Sequence, residues 1–267
     1  MEMKSRLYLV KGLPCSGKST VSKMIADSLE KQGRKVIFID EGTGNHPADY
    51  EFHSYVKEEE LQELNTDEQD KVRKAAYKKE NGYVVPLSLF EGELFEWLLQ
   101  RKIYDFLDWK IERPVMLDKW REFVAGAKDE TIYVFNCCFL QNLMCETMMR
   151  FGFDLETSLE YIKEIKERIR SLHPKVVYLK NDEISESIQR TVDERGMEWL
   201  NSVIDYHVNG VYGKRLGMQG FEGYISCLQE RQKRELEILK QLEMEHILID
   251  NGQKDWNHAY NEIKDFL

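Results

Sequence analysis

The sequence predicts an α/β protein built on a parallel sheet, and three observations carry that expectation. Short apolar runs of strand length recur along the chain at residues 6–10, 35–40, 131–135, 175–180 and 245–250. Stretches with apolar residues at helical spacing separate them, beginning with Val21, Met24, Ile25 and Leu29. Between the first run and the first helix stands Gly12-Leu13-Pro14-Cys15-Ser16-Gly17-Lys18-Ser19-Thr20, which fits GxxxxGK[ST] in the strand–loop–helix context that this pattern requires.

Each residue type in that loop has a physical reason. A polyphosphate is a compact multiple anion, so the chain must turn sharply around it with backbone N–H groups pointing inward. Gly12 and Gly17 allow turns and approaches that a Cβ would block. Pro14, Cys15, Ser16 and Thr20 complete the lining, and the helix opening near Lys18 adds unpaired N–H groups and the positive end of its dipole. Lys18 brings a mobile charge to the β- and γ-phosphates, and the Ser19 hydroxyl is placed to hold Mg²⁺. The expected ligands are therefore a nucleotide and magnesium.

The first helix should end near Lys31, closed by Gly33, with strand two at Lys35–Asp40. In a parallel sheet, the carboxyl end of strand two opens on the same edge as the phosphate loop, where ligands bind in α/β proteins. Asp40 and Glu41 stand at that edge. A carboxylate there can accept the proton of a hydroxyl attacking the γ-phosphate, and Asp40, nearer the strand, is the favoured one. The bland alternative is a pair of acids that simply end the strand in water.

Residues 46–130 are too long for a simple crossover. They are expected to form a largely helical insertion, with helices at 58–64, 67–79 capped by Thr66, 87–106 and 115–123, broken at Gly82, Pro86 and Pro114. Such an insertion would cap the sheet edge and hold the acceptor site. Its arginines, Arg101, Arg113 and Arg121, are candidates for holding an acceptor phosphate, although its acidic surroundings would suit a cationic molecule.

Strand three, Thr131–Phe135, runs into Asn136-Cys137-Cys138-Phe139. Asn136 can orient water or a hydroxyl but offers a metal no charge. The cysteine pair is expected to serve packing. An amphipathic helix through Leu155, Leu159, Ile162 and Ile169 leads to strand four at 175–180. The segment 181–220 follows as a lid-like stretch whose helix, Ile184–Arg195, carries Arg190 and Arg195 near its end. These cations either complement a helix C-terminus or cover the transferring phosphate. A long charged helix at 220–243, strand five at 245–250, an Asn251-Gly252 turn and a terminal helix complete the chain.

Composition bounds the partners. The net charge of −10 over 267 residues argues against general nucleic-acid binding, which needs excess Lys and Arg to displace counterions. Five cysteines without a CxxC pair and six scattered histidines indicate neither a disulfide framework nor a metal site held by His. No run approaches membrane-span length and no signal-peptide core is present, so the cytoplasm is the expected compartment. An exposed face of the 220–243 helix could serve a homodimer, and nothing in the sequence selects it.

With these features placed, the whole chain resembles the small-molecule kinases of the P-loop NTPase superfamily, especially the nucleoside and nucleotide kinase-like group. The likeness rests on GLPCSGKST at 12–20, the acid Asp40 after strand two, the insertion before strand three and RTVDERG at 190–196. It implies a three-layer fold with a five-stranded parallel sheet in order 2-3-1-4-5, as one domain over 1–267 with the insertion between strands two and three. It also implies phosphoryl transfer from ATP with Mg²⁺. Lys18 and Ser19 would bind phosphate and metal, Asp40 would be the base and a metal partner, and Arg190 and Arg195 would be lid residues. Asn136 departs from the acid that many members carry there. Three readings compete: a kinase acting on a small hydroxylated acceptor such as a nucleoside, nucleotide or sugar, a nucleotide-dependent ATPase or switch signalling through the insertion, and a nucleotide-binding remnant, which Asn136 somewhat favours. No NKxD guanine-recognition motif is present.

Overall fold

Strand β1 (Leu7–Gly12) has every residue buried, as a strand flanked on both sides and covered on both faces must be. The computed structural model describes residues 4–250 and 255–267, and the expected Asn251-Gly252 turn lies outside them. After β1 come helix α1 (Lys18–Lys31) and strand β2 (Lys35–Ile39). The chain then forms strand β3 (His53–Lys57), helix α2 (Thr66–Ala75), strands β4 (Tyr77–Lys79) and β5 (Gly82–Pro86), and helices α3 (Gly92–Leu99) and α4 (Trp109–Gly126). Strand β6 (Thr131–Asn136) is followed by a single turn, α5 (Gln141–Met144), and then by helix α6 (Leu155–Ile169) and strand β7 (Pro174–Lys180). Helices α7 (Ile184–Arg195), α8 (Met197–Val208), α9 (Val211–Arg215) and α10 (Gly220–Leu242), strand β8 (Glu245–Asp250) and helix α11 (Trp256–Phe266) close the order.

The chain divides into two compact units, residues 1–41 with 124–267, and residues 42–123. In the larger unit five strands pair in the order β2-β6-β1-β7-β8, and every pairing is parallel. Side chains of alternating residues go to opposite faces. Tyr8 and Val10 of β1, Val134 of β6 and Val177 and Leu179 of β7 pack with Val21, Ile25 and Leu29 of α1 and Ile263 of α11. A second cluster gathers Leu13, Ile188 and Val192 of α7, Leu200 of α8 and Tyr224 and Leu228 of α10. After α7, the stretch 181–220 thus contains two further helices, α8 and α9.

The other face of this sheet carries charge. Register places Lys11 of β1 opposite Tyr178 of β7, so the two side chains share a face. Tyr178 donates to Glu235 of α10 at 2.6 Å, and Glu235 accepts from Arg231 at 2.7 Å, both partners being almost fully buried. Burial alone would make Arg231 less basic, but the Glu235 carboxylate overrides it and raises the Arg231 pKa. Lys11 is fully buried and its Nζ has no hydrogen-bond partner among the described residues.

The smaller unit corrects the expectation of a largely helical insertion. It is mixed α/β: β3, β5 and β4 form an antiparallel three-stranded sheet in that order. Only two residues, Glu80 and Asn81, link β4 to β5 before Gly82, and Asn-Gly ahead of the apolar run Tyr83-Val84-Val85 is a local hairpin signal. Helix boundaries also change: the helix expected at 67–79 ends at Ala75, and that expected at 87–106 is a 3₁₀ turn, Leu87–Leu89, followed by Gly92–Leu99. The expected helix at 58–64 is a short 3₁₀ turn, Glu60–Glu63. The cap of α2 is Asn65 rather than Thr66, because Asn65 accepts from the Glu68 N–H and Glu68 accepts from the Asn65 N–H. Pro114 does not end a helix, since it lies inside α4, where its missing N–H leaves a carbonyl of the preceding turn without its helical donor. Val56, Leu61, Val72, Tyr83, Val85, Leu87 and Leu98 form the core of this unit.

Candidate nucleotide-binding site

The phosphate loop is shaped by its two glycines. Gly12 ends β1 at φ +147°, and a Cβ there would stand 2.6 Å from the Leu179 carbonyl oxygen. Gly17 caps α1 in the left-handed conformation at φ +90°, and a Cβ there would stand 2.5 Å from the Trp256 ring. Cys15 also takes a positive φ of 65° and is exposed, so it offers the loop its backbone. The loop closes on itself through Ser16 N–H to the Leu13 carbonyl at 3.3 Å.

Lys18 is buried, and its ammonium donates to the Leu13 carbonyl at 2.9 Å, which folds the side chain back over the loop. Burial lowers its pKa, and of the surrounding charges Glu41 opposes this most. A phosphate chain entering the loop would supply the negative charge that this buried cation lacks.

Beside Lys18 stands a triangle that sequence spacing could not disclose. Asn136, at the end of β6 and fully buried, uses its side-chain nitrogen to donate to Ser19 Oγ at 3.0 Å and to Asp40 Oδ1 at 2.6 Å. Asp40 Oδ1 also accepts the Glu41 N–H at 2.9 Å. Ser19 and Asp40, 21 positions apart by their numbers, are thereby pinned to one amide. The cause lies in the register. Asn136 pairs with Val10 next to the loop, while Phe135 pairs with Ile39, which leaves Asp40 at the adjoining strand tip.

A second amide grips the second acid. Gln141 donates to Glu41 Oε1 at 2.9 Å. Gln141 reaches that position because the chain turns tightly after β6. Cys137 and Cys138 both take positive φ, 61° and 31°, and the Phe139 N–H bonds the Cys137 carbonyl at 2.7 Å. Both cysteines are buried, so the packing role expected of them is accompanied by a costly backbone turn.

The donor set fits magnesium of the phosphate-loop kind. Ser19 supplies a hydroxyl and Asp40 a carboxylate, while Asn136 turns its amide nitrogen, not its oxygen, toward both. Among the described residues no cluster of three or more His, Cys, Asp or Glu side chains could hold a metal alone, so phosphate oxygens and water must complete the shell. An open groove of about 590 Å³ runs from Ser19 and Asp40 along α1, past Lys23, Asp27, Phe38 and Tyr260.

The lid arginines are not brought into this cluster. Arg190 contacts Ser187 and Glu186 on its own helix, and Arg195 stacks over Trp199 at 5.5 Å. Both are exposed and neither touches a loop residue among the described contacts. In the smaller unit Arg101 bonds Glu60 and Glu63 and stacks on Trp97, and Arg121 pairs with Asp118.

Comparison with known proteins adds a limited likeness. A family model described as chromatin associated protein KTI12 matches residues 6–84, the phosphate loop, β2 and the first part of the smaller unit. No curated protein matches. Among solved structures, the YorR protein of Bacillus subtilis in complex with phosphorylated GDP is similar over 97% of this chain and 94% of that one, at 14% identity and a TM-score of 0.41. The glycine-shaped loop at the end of a central parallel strand, the helix it opens and the hydroxyl and carboxylate beside it are those of a P-loop nucleotide-binding protein.

Proposed function

We propose that this protein is an ATP- and Mg²⁺-dependent phosphotransferase that moves the γ-phosphoryl group to a small hydroxylated acceptor. The observation that carries the reading is the shared amide of Asn136, which holds a carboxylate next to the metal-binding hydroxyl of the loop. The acid held there is available to the proton of an acceptor hydroxyl as well as to the metal.

In this mechanism the loop N–H groups and Lys18 hold the phosphate chain, and Ser19 and Asp40 would hold Mg²⁺, which neutralises charge gathering on the transferring group. Asn136 keeps Ser19 and Asp40 in position, and Asp40 Oδ2, which has no donor among the described residues, receives the acceptor proton. Catalysis is positioning and electrostatics, because phosphoryl transfer asks little covalent chemistry of the protein. Arg190 and Arg195, exposed on α7, would reach the transferring phosphate only by closure of that helix over the site.

The second reading is a nucleotide-dependent switch or assembly protein, favoured by the match of residues 6–84 to a family described as chromatin associated. One experiment separates the two. The protein is incubated with ATP, Mg²⁺ and a panel of nucleosides, nucleotides and sugars, and products are searched by mass spectrometry. A phosphorylated product supports the kinase, whereas ATP consumption that responds to a macromolecular partner and leaves every panel member unmodified supports the switch.

A further inference from the structure

Leu13 belongs to two parts of the fold at once. Its carbonyl serves the phosphate loop, accepting from the Lys18 ammonium at 2.9 Å and from the Ser16 N–H at 3.3 Å. Its side chain is fully buried in the cluster that holds Ile184, Ile188 and Val192 of α7, Leu200 of α8 and Tyr224 and Leu228 of α10. The residue that Lys18 grips is therefore also a residue against which the helices after β7 are packed.

Helix α7 is fixed at one end and jointed at the other. Before it, Asn181 and Gln232 of α10 exchange two bonds of 2.9 Å, and Asn181 Oδ1 accepts the Glu183 N–H at 3.0 Å. After it, Gly196 joins α7 to α8 at φ +85°, and among the described residues nothing beyond its chain neighbours stands within 4 Å of where a Cβ would be. Arg190 and Arg195 lie in the half of α7 nearer this open joint.

A nucleotide in the loop brings anionic oxygens, which attract an ammonium group more strongly than a neutral carbonyl does. Lys18 then turns to phosphate, and among the described residues the Leu13 carbonyl keeps only its longer bond, from Ser16. A close-packed interior passes on a displacement rather than absorbing it, so a shift at Leu13 reaches α7 through the cluster.

We propose that Leu13 is the positioning residue that couples a filled phosphate loop to helix α7: its carbonyl is the resting partner of Lys18, and its side chain is the joint through which bound nucleotide moves Arg190 and Arg195. The inference rests on the loop binding nucleotide, as the kinase reading does, and not on the identity of the acceptor. While Lys18 is bonded to Leu13, Arg190 stays on its own helix and Arg195 on Trp199. The bias toward the moved position comes from the exchange of partners at Lys18 and from the phosphate contacts that the arginines gain.

The test is amide hydrogen exchange on the full chain, with and without saturating Mg²⁺ and a non-hydrolysable ATP analogue, read over residues 184–208. In the parent protein the nucleotide should slow exchange there by roughly fivefold or more. Leu13→Ala should still bind a fluorescent ATP analogue, because the loop uses the backbone of residue 13, but the nucleotide effect over 184–208 should shrink to less than about twofold. Leu13→Met, which refills the space, should restore most of it. Ile263→Ala, a truncation of similar size in the separate cluster of α1 and α11, controls for general weakening of the core and should keep the parent response. If Leu13→Ala does not fold, Leu13→Val, which removes one carbon, is read in its place. An undiminished nucleotide effect in the Leu13 variant, or an equal loss in Ile263→Ala, overturns the coupling. So does a parent protein that binds the analogue with no change over 184–208. A parent protein that does not bind the analogue overturns the nucleotide site itself, and the coupling falls with it. The expected responses in a protein that phosphorylates no acceptor uphold the coupling and overturn the kinase reading alone.

Discussion

The side-chain nitrogen of Asn136 lies 2.6 Å from Asp40 Oδ1, a donor–acceptor contact across the parallel β6–β2 pair, and the same nitrogen lies 3.0 Å from Ser19 Oγ. One amide thus couples the residue expected to hold metal to the one expected to take a proton. Asn136→Ala should leave the fold intact by circular dichroism yet slow transfer by about tenfold or more, with a higher Mg²⁺ requirement, because both groups lose their fixed geometry. Asn136→Asp sets a second carboxylate against Asp40, so its melting temperature should rise on adding Mg²⁺ by more than that of the parent protein. Equal Mg²⁺ responses would separate Asn136 from the metal shell.

Lys18 and Asp40 should fail in different ways. Removing the buried loop cation in Lys18→Ala should weaken nucleotide binding and abolish turnover. Asp40→Asn should keep nucleotide affinity while reducing kcat by more than about tenfold, the scale of general-base catalysis. Fluorescent nucleotide titration beside a product assay distinguishes the two losses, and unchanged turnover in Asp40→Asn removes that acid from the mechanism.

The Arg231–Glu235 pair is buried on both sides, so its partners cannot be removed singly without stranding a charge. Arg231→Met should cost about 3–5 kcal/mol in urea unfolding, because Glu235 then lies buried with only Tyr178 to bond it. The double variant Arg231→Met, Glu235→Leu should recover most of that loss, since matched apolar replacements of a buried pair are often neutral or better. A double variant as unstable as the single one would mean that the pair is needed for more than mutual charge balance.

His207 makes stability depend on pH in the acid range. Burial, aided by Arg231, lowers its pKa to about 4, while its Nδ1 contacts the Val203 carbonyl at 2.6 Å. An unfolded histidine titrates near 6.5, so below that pH the unfolded chain takes up a proton that the folded chain refuses. Stability should therefore fall as pH drops from roughly 6.5 to 4, by on the order of 3 kcal/mol from this group alone. His207→Leu should show a shallower decline over the same window in denaturant titrations.

The residues 12–20 and the apolar runs around them were enough to place the phosphate loop, its strand and its helix, because those features are local: glycine positions, strand-length runs and helical spacing are written in consecutive residues. The smaller unit was misread for a related reason. Its strands are only three to five residues long and draw their stability from one another, so the charged segments between them dominate a helical periodicity count. What only the tertiary structure decided is which distant groups meet: Asn136 with Ser19 and Asp40, Gln141 with Glu41, and Lys11 beside Tyr178 and its buried ion pair. Those meetings depend on strand register and on the tight turn at Cys137 and Cys138, and a shift of one residue in a parallel pairing would send each side chain to the opposite face.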